Sequence, residues 1–121
     1  MYLYFYAAKP SQQAVQYCQN ITALDGIPEC IELEAGEKIS TYSTQLVAGE
    51  GVFLLFAADI ADIEYLQRFS EYLQDSLVIL VLGNSNLSLL NKCYGLHPRF
   101  VCQGEADFSL LNQILLKIFA V

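Results

Sequence analysis

Val52-Phe53-Leu54-Leu55-Phe56-Ala57-Ala58-Asp59 stays apolar until its last residue and then turns acidic. It lacks the three-and-four spacing of a half-exposed helix. An unbroken apolar run of strand length suits a strand buried on both faces, as in parallel sheets covered by helices. Val52–Ala57 is therefore assigned to a strand, with Asp59 and Asp62 at the start of the helix after it. Each aspartate offers a side-chain oxygen to free backbone N–H groups, a contribution of about 1 kcal/mol, and each suits the positive end of the helix dipole.

Outward from this unit the same pattern recurs. Further strands are predicted at Tyr2–Ala7, Cys30–Glu34, Leu77–Leu82 and Arg99–Cys102. Helical spacing marks the intervals: Val15, Cys18 and Ile21, then Ile39, Tyr42 and Leu46, then Ile63, Leu66, Phe69 and Leu73. Leu87, Leu90 and Tyr94 mark a shorter fourth helix, and Leu111, Ile114, Leu115 and Ile118 a fifth. Ser11, Ser85 with Asn86, and Asp107 stand where helices should begin. Asp25-Gly26 with Pro28, Gly49 with Gly51, and Gly95 with Pro98 close elements. Strict alternation with short connections predicts an α/β fold, a three-layer (βα)5 flavodoxin-like sandwich. Its parallel five-stranded sheet is expected in the order 2-1-3-4-5.

At 121 residues the chain fits one domain, 1–121, expected to be the N-terminal part of a longer protein. Apolar residues make up 55% of it, enough for strands covered on both faces. No apolar run approaches the ~18–20 residues of a membrane-spanning helix, so no membrane insertion is expected. Met1-Tyr2-Leu3-Tyr4 has no basic leader and does not read as a secretory signal. Cys18, Cys30, Cys93 and Cys102 form no CxxC pair and sit in apolar segments, which suits free thiols in a reducing, cytoplasmic setting. The net charge is −7, and the six basic residues are scattered, so neither nucleic acid nor an anionic membrane is an expected partner.

In this fold, function gathers at the carboxyl ends of the strands. Ala7-Ala8-Lys9-Pro10 follows strand one, Ala57-Ala58-Asp59 strand three, Gly83-Asn84-Ser85 strand four, and Gln103-Gly104-Glu105 strand five. On these segments and their spacing, the full chain resembles the CheY-like receiver domains of two-component signalling. The resemblance implies two acidic residues at the end of strand one, where this chain has Ala7 and Ala8 and keeps only Pro10. It implies a phospho-accepting aspartate at Phe56 or Ala57, a Ser or Thr at Leu82 or Gly83, and a lysine at Gln103. An aromatic on strand five is retained as Phe100. Phosphorylating an aspartate requires carboxylates to hold Mg²⁺ and cations to neutralise the transferring group. Alanines supply no ligand oxygens and Gln103 no charge, so the expected site is degenerate: Ala7, Ala8, Phe56, Ala57, Asp59, Gly83 and Gln103, with no metal, no cofactor and no catalysis.

Other chemistries of the fold find little footing. No GxGxxG or GxxxxGK[ST] pattern occurs. Ala7-Ala8-Lys9-Pro10-Ser11 is a poor flavin-phosphate loop, and His97 precedes strand five instead of belonging to a cobalamin-type loop. Cys18 falls inside the first helix as core, since a reactive thiolate needs an electropositive and partly exposed setting. Gly83-Asn84-Ser85-Asn86 offers backbone N–H groups to an anion, although helix capping explains it equally well.

The last segment is apolar around more of its circumference than one sheet face requires. Leu110, Ile114, Ile118, Leu111, Leu115, Phe119 and Phe108 sweep about half the helix, and Leu116 falls outside even that arc. Receiver-like domains commonly pair through helix four, strand five and helix five. The resemblance thus implies a protein partner or a homodimer there, through Tyr94, Phe100, Leu110, Ile114 and Leu116. The leading expectation is a non-phosphorylatable pseudo-receiver, an interaction, dimerisation or localisation module in bacterial signalling or pilus assembly. The resemblance extends to atypical receivers that precede the ATPase of pilus-assembly proteins of the CpaE/TadZ type. The second reading is a small-ligand-binding or enzymatic flavodoxin-like domain using Asn84, Ser85, Asp59 and Gln103.

Overall fold

Apolar runs of six or seven residues need two covering layers, and a computed structural model of the chain provides them. The structure describes residues 2–9, 11–27, 30–45, 51–74, 76–83, 87–103 and 107–119. Strands β1 (Tyr2–Ala7), β2 (Cys30–Glu32), β3 (Gly51–Ala57), β4 (Leu77–Leu82) and β5 (Phe100–Gln103) form one parallel sheet in the order β2-β1-β3-β4-β5. Every residue of β3 is buried, as its uniform apolarity requires.

Alternation along the strands divides the core in two. Leu3, Phe5, Val52, Leu54, Phe56, Ile79, Val81 and Cys102 face α1 (Gln12–Thr22) and α6 (Phe108–Ile118). Tyr4, Tyr6, Phe53, Leu55, Ala57, Leu80 and Leu82 face the opposite layer. That layer comprises α2 (Glu37–Gln45), α3 (Ile60–Gln67), α4 (Ser70–Leu73) and α5 (Leu87–Cys93), the last continued by a 3₁₀ turn at Tyr94–Leu96. Among the described residues no helix is long and apolar enough to cross a membrane.

Several local expectations need correction. The buried stripe of α1 is Ala14, Tyr17, Cys18 and Ile21, while Val15 is half exposed. Spacing alone did not distinguish these stripes, and the bulk of Tyr17 against Phe56, ring centres 5.6 Å apart, selects the observed one. The third predicted helix is two: Arg68 and Phe69 donate to Tyr65 and Leu66, three residues back, and this tighter turn separates α3 from α4. Asp107 makes no side-chain capping bond to α6 and accepts instead from the Gln103 backbone N–H at 2.7 Å, tying the end of β5 to the start of the helix. Strand β2 ends at Glu32, two residues earlier than expected, and β5 begins at Phe100, one later. Tyr4 and Tyr6 are buried as alternation on β1 implies, whereas Tyr2 is half exposed. The predicted signals at Pro10, Pro28, Leu46, Gly49, Asn84, Ser85, Asn86, Gly104 and Glu105 lie outside the described residues.

Ser11 and Asp59 meet expectation. The Ser11 hydroxyl accepts from Ala14 N at 3.0 Å, and the Asp59 carboxylate from Asp62 N at 2.9 Å. All four cysteines are free thiols, three buried and Cys30 half-buried. Burial, foremost, pushes the thiols of Cys30 and Cys102 up to about 11 and raises those of Cys18 and Cys93, which disfavours the thiolate form at neutral pH.

Candidate functional site

Pairing of β1 with β3 brings the segment after Ala7 beside the segment after Ala57. Ala8 N donates to Phe56 O at 3.4 Å, which holds the two chain exits together. Lys9 then reaches across the rim. Its ammonium lies 2.8 Å from Asp59 Oδ2 and 3.5 Å from Asp62 Oδ1. Asp62 is the one buried charged residue among those described, 3% exposed, and its other oxygen accepts from Ala58 N at 2.9 Å. Asp59 therefore caps α3 and pairs with Lys9, while Asp62 fixes the turn that leaves β3.

The ammonium bonded to Asp59 holds that carboxyl below its ordinary value, and the same bond, with the nearby charge of Asp62, raises Lys9. A raised lysine stabilises the fold fully below its unfolded pKa, and the contribution is lost as pH rises through the folded value. A lowered carboxylate stabilises above its unfolded pKa, and the contribution is lost as pH falls through the folded value. The pair should therefore act between the ordinary titrations at 3.8 and 10.5. Urea unfolding of Lys9→Ala against the parent should show a small difference that is flat near neutrality and fades toward both limits. A difference independent of pH would assign the effect to packing. Because Lys9 and Asp59 are exposed, the effect is small and salt-sensitive.

Strand four completes the rim. Gly83 N donates to Ala57 O at 2.8 Å, and Gly83 O accepts from Gln13 Nε2 of α1 at 3.1 Å. A Cβ on Gly83 would stand 3.2 Å from Ala58 Cα and 3.3 Å from Gln13 Oε1. A Ser or Thr of the receiver pattern at Gly83 would therefore be tight, and Gln13 or the Ala58 backbone would have to give way. Gln103 at the end of β5 is half-buried and anchored through its backbone to Asp107.

The residues do not fit a magnesium ion. Ala7 and Ala8 carry no side-chain oxygen, and the two nearby carboxylates already share an ammonium. Among the described residues no three His, Cys, Asp or Glu side chains are grouped to hold a metal. Ala7, Ala8, Phe56, Ala57, Asp59, Gly83 and Gln103 all lie at or just past the carboxyl ends of β1, β3, β4 and β5. The sequence assigns no partner to Lys9 or Gln13; the fold brings Lys9 to Asp59 and Gln13 to Gly83. His97 lies at the other end of the sheet, ahead of β5, with φ of 52° closing the 3₁₀ turn.

The predicted contact face is divided. Strand β5 is a free edge, with α5 and α6 on either side of the sheet. Tyr94, Phe100 and Leu110 are exposed, and Ile114 is half-buried. Leu116, also exposed, belongs elsewhere: it approaches Gly26, on the flank where Asn20 donates to Asn112 at 3.2 Å. Six residues of α-helix separate Leu110 from Leu116 by ~600°, a full turn and about 240° more, so they stand ~120° apart around the axis and on different flanks.

No family model and no curated protein sequence matches the chain. Two solved structures resemble it. One, from Burkholderia pseudomallei, is described as pilus assembly-related: TM-score 0.66 and 15% identity, over 99% of this chain and 90% of that one. The other is a phosphorylated cyanobacterial phytochrome response regulator: TM-score 0.62 and 20% identity, over 98% of this chain and 91% of that one. With five parallel strands in the order 2-1-3-4-5, helices on both faces and these neighbours, the chain has the CheY-like, flavodoxin-type fold.

Proposed function

We propose that this domain is a receiver that has exchanged phosphotransfer for protein contact, and that it serves as an interaction, dimerisation or localisation module. The observation that carries the reading is the Lys9 ammonium bonded to Asp59 and close to Asp62 at the rim. A phosphorylating site needs carboxylates free for Mg²⁺ and a cation aimed at the phosphoryl group. Here the cation follows strand one and is engaged by the two carboxylates beside the end of strand three. The domain is not an enzyme in this reading. Its contacts run through the α5–β5–α6 side, where Tyr94, Phe100, Leu110 and Ile114 surround the free edge, toward a protein partner or a second copy. The Burkholderia neighbour favours a place in pilus assembly and the response regulator one in signalling, and in this reading the domain works in the cytoplasm. The domain spans 1–121 as one unit of a larger regulator.

Acetyl phosphate with Mg²⁺ should leave the intact mass unchanged, and beryllofluoride should not raise the melting temperature, because a ligand that binds only the folded state must raise it. Magnesium-dependent stoichiometric labelling would overturn the reading. Light scattering should show self-association that Ile114→Asp weakens, or a monomer whose partner binding that variant weakens.

A further inference from the structure

We propose that the free β2 edge accepts an extended, basic segment of another protein as an additional strand. This edge lies across the sheet from β5, and the inference does not depend on the contact reading above. Glu32 is paired with Phe5, and Leu33 N donates to Phe5 O at 2.8 Å. In a parallel ladder the N–H and C=O of one residue point to the same side. Ile31 and Leu33 therefore direct their backbone groups at β1, and Cys30 and Glu32 direct theirs away from the sheet.

Among the described residues neither side of this edge is filled. Hollows of about 360 and 400 Å³ lie on the α1 side, sharing Val15 and Glu32, and one of about 250 Å³ reaches Lys38 and Tyr42 of α2. All of them border Glu32. A strand laid beside β2 would send alternate side chains into the two sides, as pairing at a sheet edge requires. Glu32, opposite Phe5, faces the α1 side, where the floor is Phe5, Ala14 and Val15. The methylene stems of Lys or Arg suit that side with their charged ends at Glu32 and Glu34, and the aliphatic residues between them turn to the α2 side against Tyr42.

Charge selects the occupant. Glu32 and Glu34 are exposed at this edge, and the whole chain carries −7. A second copy would bring the same glutamates together, and like charges facing each other across strands are destabilising. Such charges guard edges against self-pairing, and the same pair attracts a segment that alternates Lys or Arg with aliphatic residues.

The test uses the intact chain and a fluorescein-labelled peptide, Lys-Val-Arg-Leu-Lys-Val-Arg. Its affinity should fall about tenfold or more when Glu32→Lys and Glu34→Lys are combined, since close charge pairs at an interface are strongly coupled. A peptide with proline in place of the leucine keeps the charge but loses a ladder donor, and it should bind much more weakly. The amides of Cys30 and Glu32 should gain exchange protection with the first peptide only. No binding, equal binding by the proline peptide or the charge-reversed protein, or protection confined to other strands would each overturn the proposal. Mass and oligomeric state report on the β5 side independently.

Discussion

Phe56→Ala is expected to lower the free energy of unfolding by about 3–5 kcal/mol, read as an earlier urea midpoint with an unchanged slope. Phe56 is 1% exposed, and its ring lies against Tyr17 and beneath Gly83. Truncation removes buried apolar area and also leaves a cavity under the rim, which surrounding strands cannot collapse to fill. Because β3 is central, its backbone is held by ladders on both sides. A loss of that size is a large share of the ~5–15 kcal/mol that holds a typical domain together. Phe56→Leu should recover much of it, because the cavity is smaller. A loss under about 1 kcal/mol for the alanine variant would mean that the rim repacks, contrary to the close packing of protein interiors.

Asp62→Ala is expected to cost about 1–3 kcal/mol, with Asp62→Asn costing less. Breaking a fully buried ion pair costs more, about 3–5 kcal/mol, because the surviving charge is stranded without water. That larger figure does not apply here: Lys9 is exposed and keeps Asp59. What the alanine variant loses is the acceptor for Ala58 N and the shape of the turn leaving β3. Asparagine retains an acceptor, so the difference between the two variants separates the hydrogen bond from the charge. Equal losses, abolished equally by salt, would assign the effect to electrostatics alone. The comparison is made by urea unfolding at neutral pH and low salt.

The receiver resemblance rested on architecture and spacing, with the pattern's residues missing at named positions, and the geometry supplies what stands there instead. Gly83 is one of the two positions, with Leu82, where a hydroxyl residue was implied, and a side chain there would press on Gln13 and Ala58. Nothing in the local pattern around Gln13 marks it, because its partner is seventy residues away. Lys9 was visible beside Pro10 but had no assigned partner until β1 and β3 were set in register. Leu116 shows the converse: its apolar character suggested a contact face shared with Leu110, and the position of α1 places it on the other flank of α6.

Periodicity determined the layers. Uniform apolar runs can lie only between two covers, and helical spacing of three and four supplies those covers, so order and class followed from one-dimensional pattern. Which face of α1 goes inward, where the third helix breaks, whom Asp62 and Lys9 meet, and which edge is left open were decided only in three dimensions. These depend on side chains far apart in sequence competing for the same space and the same hydrogen-bond donors, and no local window contains both competitors.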